Sequence, residues 1–407
     1  KMDLTEFYGF QLSEKMQKLE ITSEKILESY INKIKKINPK LNAIVSLKDT
    51  SLLLENCKKI DASRKKGKKL KPLSGLPIAI KDLEETKDII TTYGSLIYSH
   101  YKPKNDSPMV SNLRKSGLLI IGKTNTPEFG VGGQTFNEVF GTTSNPFNFK
   151  KTAGGSSGGA AAAVQSKLIP FADGSDMMGS LRTPSSFCET FSIRPTPGLV
   201  PSNSTLSYKM PRISTNGVIA RHPMDLALML DGCIGKKAYF EKLIRNKFSL
   251  RKVTACIPEN YLENILVDNK VTKQFYQNIE TFKKLGVKIK KINFDFEPNL
   301  FWDSWIDLRS KIISLNLKKE FDENSHLLKD TIIWEIERGK KITDESIKVA
   351  KKKRLYLTKK INEILSTFNF LILPSAQVFP FDKNNAFPET INKIKTTTYH
   401  QWLEITI

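Results

Sequence analysis

The sequence predicts an α/β layered protein, and three observations carry the prediction. Two short apolar runs, Pro77–Lys81 and Leu118–Gly122, have the length of buried strands. A helix-period segment, Val110–Ser116, lies between them. Further on, an alanine-rich helix beginning at Ala160 follows directly on a glycine-serine run, Gly154–Gly159. Alternating strand and helix argues for a layered sheet whose functional residues sit on loops at strand ends. With 407 residues, 39% of them hydrophobic, the chain is long enough for one large soluble domain.

Each element has its own local reason. Residues 1–70 read as a helical lead-in, in which Ile21–Ile34 carries apolar residues at helical spacing behind a Thr22 or Ser23 N-cap. Pro39, with Asn38 and Asn42 around it, is expected to end that helix, and Ala43–Leu47 is the candidate first strand. A second helix over about 50–66 runs out into the basic turn Arg64–Lys69. Asn145–Thr152 reads as a loop. Beyond Val200 the signal thins to a helix at Pro223–Gly232, long lysine-rich helices over 240–370, an exposed strand at Val287–Ile292 and a buried strand at Phe370–Pro374. Trp302, Trp305 and Trp334 read as core packing in preference to pocket lining.

Composition narrows the function classes. The net charge of +22 would ordinarily suggest a polyanion partner, but lysine outnumbers arginine 53 to 11 and is spread along the chain. That pattern reads as the compositional bias of an AT-rich genome, so no specific nucleic-acid partner is expected. Cys57, Cys188, Cys233 and Cys256 are scattered without metal-ligand spacing, which fits buried thiols in a reducing cytoplasm. No apolar run reaches transmembrane length, and Lys1–Thr5 does not open a signal peptide; a cytoplasmic protein with no membrane partner is expected.

The chemistry concentrates in residues 152–201, where two glycine-flanked serines, Ser156 and Ser180, stand 24 positions apart. Glycines let backbone N–H groups converge on one point and let a ligand approach closely. One reading is an anion cradle at the N-terminus of the alanine helix, but the run lacks a P-loop ending and a dinucleotide fingerprint. A second is a nucleophile elbow, since Gly154-x-Ser156-x-Gly158 fits G-x-S-x-G; it needs a preceding strand and a partner among His222, His326 and His400.

The third reading rests on several ordered motifs. Gly75–Asp82, Gly122–Gly130, Gly154–Gly159, Gly174–Arg182, Pro184–Cys188 and Arg194–Gly198 together resemble the amidase signature family, serine hydrolases with a Ser-Ser-Lys triad whose middle serine follows a cis peptide bond. The detailed match covers about residues 70–220, and Tyr208–Arg221 resembles the family segment that leads into the helix at Pro223. The resemblance implies a central mixed β-sheet covered by helices on both faces, in a single domain over 1–407. Within it, 71–220 is the catalytic core and 221–407 the variable half that shapes the substrate pocket.

Carried over position by position, the resemblance makes Lys81 the base, Ser156 the bridging serine and Ser180 the nucleophile. Backbone N–H groups of Met177, Met178, Gly179 and Ser180 would form the oxyanion hole, with Ser157, Asp176 and Arg182 in support. The family's usual turn has glycine where Met178 stands, which keeps the donors and adds a side chain. Glycines are also missing at Glu189 and Ser192. The resemblance further implies strands and a last helix beyond the Tyr399–Leu403 region, so a chain ending at Ile407 is expected to be a truncated product with an exposed sheet edge.

The chemistry stands without the family. A serine hydroxyl needs a base to become a nucleophile. A lysine near its usual pKa of about 10.4 is protonated, but burial disfavours the ammonium, and Leu76–Ile80 supplies apolar surroundings for Lys81. The expected activity is hydrolysis of a small-molecule carboxamide through an acyl-enzyme, with no metal or organic cofactor and with a homodimer left open. The alternatives are the glutaminase component of a tRNA-dependent amidotransferase and, from another class, a catalytically silent binding protein on the same scaffold.

Overall fold

The computed structural model describes residues 3–203, 210–236, 238–246 and 248–407; Tyr208 and Lys209 of the segment before Pro223 lie outside them. The chain forms two compact units. The first comprises Lys1–Ser204, Ile213–Asn246 and Pro380–Ala386, and the second Thr205–Arg212, Lys247–Phe379 and Phe387–Ile407.

The first unit begins with helices α1 (Gly9–Gln17) and α2 (Ser23–Leu41). The Thr22 side chain caps α2 by accepting from Lys25 N (3.2 Å), and Asp61 accepts from Ser23 N and Glu24 N at the same end. Contrary to the sequence expectation, α2 runs through Pro39 and stops at Asn42, whose φ of 54° gives a left-handed cap. Asn38 makes that ending possible: its Oδ1 accepts from Ala43 N and Ile44 N, turning the chain into strand β1 (Ile44–Val45). Helix α3 (Thr50–Lys65), strand β2 (Pro77–Lys81), helix α4 (Pro108–Lys115) and strand β3 (Leu119–Thr124) follow. Strand β3 pairs in parallel with β2 and antiparallel with β1. Helix α5 (Gly158–Gln165), strand β4 (Phe171–Asp176), helix α6 (Arg182–Phe187) and strands β5 (Phe191–Ile193) and β6 (Thr215–Ala220) build a second sheet in the order β4-β6-β5. Helices α7 (Pro223–Ile234) and α8 (Tyr239–Ile244) complete the unit.

Side-chain alternation along these strands explains why helices cover both faces. Ile78, Ile80, Phe171, Val218 and Ala220 pack into one core with residues of α1, α4 and α7. Their neighbours Ala79, Ala172 and Ile219 pack into another with residues of α3 and α5. Helix α2 contributes to each, through Ile26 and Tyr30 on one side and Leu27 and Ile31 on the other. The small residues Ala160–Ala163 let α5 lie close on the sheet. All four cysteines are buried and free.

The second unit holds strand β7 (Thr254–Pro258), helices α9 (Glu259–Asn264) and α10 (Asn269–Lys284), strand β8 (Lys288–Ile292) and helices α11 (Leu300–Asn316), α12 (Lys318–Asn324), α13 (Asp330–Lys341) and α14 (Asp344–Thr367). Strand β9 (Phe370–Leu371) and the hairpin β10 (Thr390–Ile391) and β11 (Ile394–Lys395) close it. The sheet is parallel in the order β8-β7-β9, so β8 is the exposed edge its lysines suggest. Strand β9 departs from the expected buried strand: it lies on the opposite edge with Phe370 exposed. Of the tryptophans, Trp305 is buried in α11, while Trp334 is 38% exposed and therefore not core. No helix among the described residues is long and apolar enough to cross a membrane.

Candidate active site

Lys81 ends β2 and is 1% exposed. Its Nζ lies 2.7 Å from Ser156 Oγ, 2.9 Å from Ser157 Oγ and 3.0 Å from Ser175 Oγ. Burial drives its pKa down to about 7, although the negative charges of Asp173, Asp176 and Glu84 pull in the other direction. Among the described residues the amine sits with three hydroxyls and makes no salt bridge.

The glycine run places the serines. Gly154 has φ of 75°, the Gly155–Ser156 peptide is cis, and α5 begins at Gly158. Gly158 N donates to Thr135 Oγ1 (3.1 Å) and Gly159 N to the Asn125 carbonyl at the end of β3 (3.2 Å). Acceptors from the protein thus occupy the N–H groups that an anion cradle at this helix would need. The elbow reading finds no more support. The segment before Gly154 is a loop with isolated bridges, and His222 is spent as the N-cap of α7, accepting from Met224 N and packing against the rings of Tyr8 and Phe10.

Ser180 stands on the turn after β4 and is 8% exposed. Its carbonyl accepts from Ser157 N (3.1 Å), which joins this turn to the glycine run by backbone; its Oγ makes no hydrogen bond among the described residues. The turn is wound around the buried Asp176 carboxylate, which accepts from Gly179 N (2.9 Å) and Leu181 N (3.0 Å) and takes a two-pronged ion pair from Arg182 (2.8 and 3.0 Å). Arg194 Nε adds a third cationic contact at 3.4 Å. Gly179 has φ of 87°, a conformation that favours glycine. Because its N–H is turned to Asp176, it is not a free donor; the N–H groups of Met178 and Ser180 have no acceptor among the described residues. The Met178 side chain is buried.

The structure thus brings Lys81, Ser156 and Ser157 into direct contact and ties Ser180 to them through the backbone. Sequence reasoning passed over two neighbours. Ser175 lies within the Gly174–Arg182 motif and touches the lysine amine, and Asp173 accepts the Lys81 backbone N–H through both oxygens (3.0 and 3.3 Å). The sequence signal for Asp173 is no more than a charge inside an apolar strand, and its contact with Lys81 is made across strands.

Fold and cluster together place the chain among α/β proteins whose buried lysine is turned on serine hydroxyls. The chain belongs to the Amidase family, whose sequence profile matches residues 25–407. A glutamyl-tRNA(Gln) amidotransferase chain of Legionella pneumophila (strain Paris) is 33% identical over 301 residues, covering 72% of this chain and 61% of that one. Its counterpart from Agathobacter rectalis (strain ATCC 33656 / DSM 3377 / JCM 17463 / KCTC 5835 / VPI 0990) is 38% identical over 233 residues, covering 56% of this chain and 45% of that one. The chain therefore spans about three fifths or less of the length of these curated relatives. Among solved structures, a bacterial aryl acylamidase belonging to the amidase signature enzymes superposes with a TM-score of 0.89 over 98% of this chain and 86% of that one, at 23% identity, and so shares the fold.

Proposed function

We propose that the protein is an amidase that hydrolyses a small carboxamide to a carboxylate and ammonia or an amine, with Ser180 as nucleophile, Ser156 as relay and Lys81 as base. The observation that carries this reading is the 2.7 Å contact between a buried Lys81 amine and Ser156 Oγ. A neutral amine has two N–H donors and one lone pair, so it satisfies three hydroxyls when one of them donates to it. Ser157 is a poor candidate for that donor, because its own hydroxyl is directed at the Ser175 carbonyl (3.3 Å). Ser156, the nearest of the three, is the natural one.

In the proposed sequence Lys81 takes the Ser156 proton as Ser156 takes that of Ser180, and Ser180 Oγ bonds to the amide carbon. The oxyanion is received by the N–H groups of Met178 and Ser180, with Met177 on the same turn, each well-placed donor lowering the barrier by about 3 kcal/mol. Gly179 acts here as the brace that holds the turn to Asp176. Ser156 then passes a proton to the leaving nitrogen, the C–N bond breaks, and water repeats the attack on the ester to release the acid and restore Ser180. A hydroxyl relay suits amides, whose amine must be protonated before it departs.

The similarity to glutamyl-tRNA(Gln) amidotransferase chains favours a second reading, a glutaminase that works beside a partner protein. One experiment tests the chemistry common to both: intact mass after incubation with a fluorophosphonate, comparing the parent with Lys81→Ala, Ser156→Ala and Ser180→Ala. A single adduct on Ser180 that slows at least about a hundredfold without Lys81 or Ser156 is expected. An adduct on Ser156 overturns the assignment, and a folded protein that takes no adduct is a silent binding scaffold. Turnover of glutamine only in the presence of a partner would select the second reading over the first.

A further inference from the structure

Asp173 is a buried carboxylate with no structural duty of the usual kind. The other buried aspartates of this unit brace something: Asp176 holds the Ser180 turn with two arginines, Asp61 takes the first N–H groups of α2 and pairs with Arg64, Asp82 takes the Thr92 N–H and hydroxyl, Asp225 takes Gly9 N and Phe10 N at the start of α1, and Asp231 takes Phe240 N and Glu241 N at the start of α8. Among the described residues Asp173 caps no helix and meets no arginine. Its hydrogen-bond donor among the described residues is the backbone N–H of Lys81, shared by both oxygens. Burying a carboxylate is costly unless another group repays it, and here the group it lies against carries the amine of the site.

Resting on the reading of Lys81 as the base, we propose that Asp173 is a positioning residue, the electrostatic partner that fixes the Lys81 backbone and holds the amine ready to exchange protons with Ser156. Without a nearby negative charge, a lysine as buried as Lys81 would keep its proton too weakly to take one from a serine. The carboxylate opposes that loss, and among the described residues it acts without a direct salt bridge that would tie up the amine. Other groups share the field. Lys81 faces Asp176 and Glu84 as well as Asp173, while Asp173 faces Glu84, the buried Lys123 on β3 and the Cys233 thiol of α7. Asp82 lies beside Lys123 in turn. Three of these already have firm duties. Glu84 accepts from Ser107 and Asn216, Asp176 is committed to its arginines, and Lys123 donates to the Glu84 carbonyl and to Thr86 and Thr91. Burial pushes the Asp173 carboxyl up, while the Lys81 N–H and the ammonium groups of Lys123 and Lys81 draw it back toward the charged form.

The test is the rate of fluorophosphonate labelling of the whole chain as a function of pH. Replacing Asp173 by Asn or by Ser removes the charge while leaving an acceptor for the Lys81 N–H, and Asp173→Glu keeps the charge. Both uncharged variants are expected to lower the midpoint of the acid limb by about one pH unit or more, because a nearby opposite charge raises a lysine's proton affinity by that order. Asp173→Glu is expected to retain the parent midpoint. A midpoint unmoved in either uncharged variant, with labelling reduced evenly at every pH, makes Asp173 a packing residue and overturns the proposal. If Lys81→Ala labels at the parent rate, the reading of Lys81 as base fails as well. If Lys81→Ala is silent while the uncharged variants keep the parent midpoint, only the role of Asp173 falls.

Discussion

Lys81 Nζ and Ser156 Oγ lie 2.7 Å apart at a site where the lysine makes no salt bridge among the described residues. Since burial brings this amine down to about 7, its neutral fraction, and with it the labelling rate at Ser180, should rise about tenfold per pH unit up to that point and then level off. The same group has a stability consequence of definite sign. Unfolded, it binds a proton up to about 10.4, whereas folded it releases that proton near 7, so between those values the unfolded chain binds more protons. Stability from this group therefore rises with pH from about 7 toward 10, and Lys81→Met should flatten that part of a melting-temperature profile relative to the parent.

The turn that presents Ser180 depends on Asp176. Burial alone would raise this carboxyl's pKa, yet Arg182, the turn N–H groups and Arg194 hold it below the ordinary value. Asp176→Ala should leave Arg194 and the turn donors unmatched, cost about 3–5 kcal/mol and abolish labelling. Arg182 is about a third exposed and Arg194 remains beside the carboxylate, so Arg182→Ala should cost only about 1 kcal/mol. Chemical denaturation measures both. The depressed pKa means that the stabilisation is present above about pH 4 and lost as pH falls through the folded value.

Much of this site was legible because its devices are local. The Gly154–Gly159 run, the strand ending in Lys81 and the turn before Ser180 are each encoded by neighbours in sequence. What could not be read were relations across strands. Ser175 and Asp173 become neighbours of Lys81 only when β4 is set beside β2, and nothing around residue 173 marks it as anything but a strand interrupted by a charge. The use of Gly179 N–H by Asp176 is likewise a matter of turn geometry. For the fold, periodicity placed α2 but not its end, because Asn38 and Asn42 cap the helix beyond a proline that local rules read as a stop. The two-residue strand β9 looked buried from its apolar composition, but it sits on a sheet edge that composition alone does not reveal.

Glu189 stands at a position where the family resemblance suggests glycine, and its backbone takes φ of 52°. A side chain in this left-handed region is strained, and Glu189 is exposed and makes no hydrogen bond or ion pair among the described residues to offset it. Glu189→Gly should stabilise the protein by about 0.5–1 kcal/mol after allowing for the greater freedom of glycine in the unfolded chain. The readout is the denaturation midpoint, and a decrease would mean that the glutamate has a favourable interaction.

In the second unit, a buried charge pair joins two helices. Arg309 on α11 meets Glu335 on α13 at 2.8 Å, with both side chains buried. Tyr399 Oη donates to Glu335 (2.7 Å) and accepts from Arg309 (3.0 Å), and Ser310 Oγ donates to the other carboxylate oxygen (2.5 Å). Every polar atom of the carboxylate is thus partnered, so the pair is costly to break from one side only. Arg309→Met leaves a buried carboxylate without its cation and should cost about 3–5 kcal/mol. The double change Arg309→Met with Glu335→Leu removes both charges, leaving mainly Tyr399 and Ser310 to find new partners, and should recover a large part of that loss. A double-mutant cycle by chemical denaturation distinguishes the cases: strong positive coupling between the two positions is expected. Simple additivity would mean that the helices are held by their apolar contacts and that the pair contributes little.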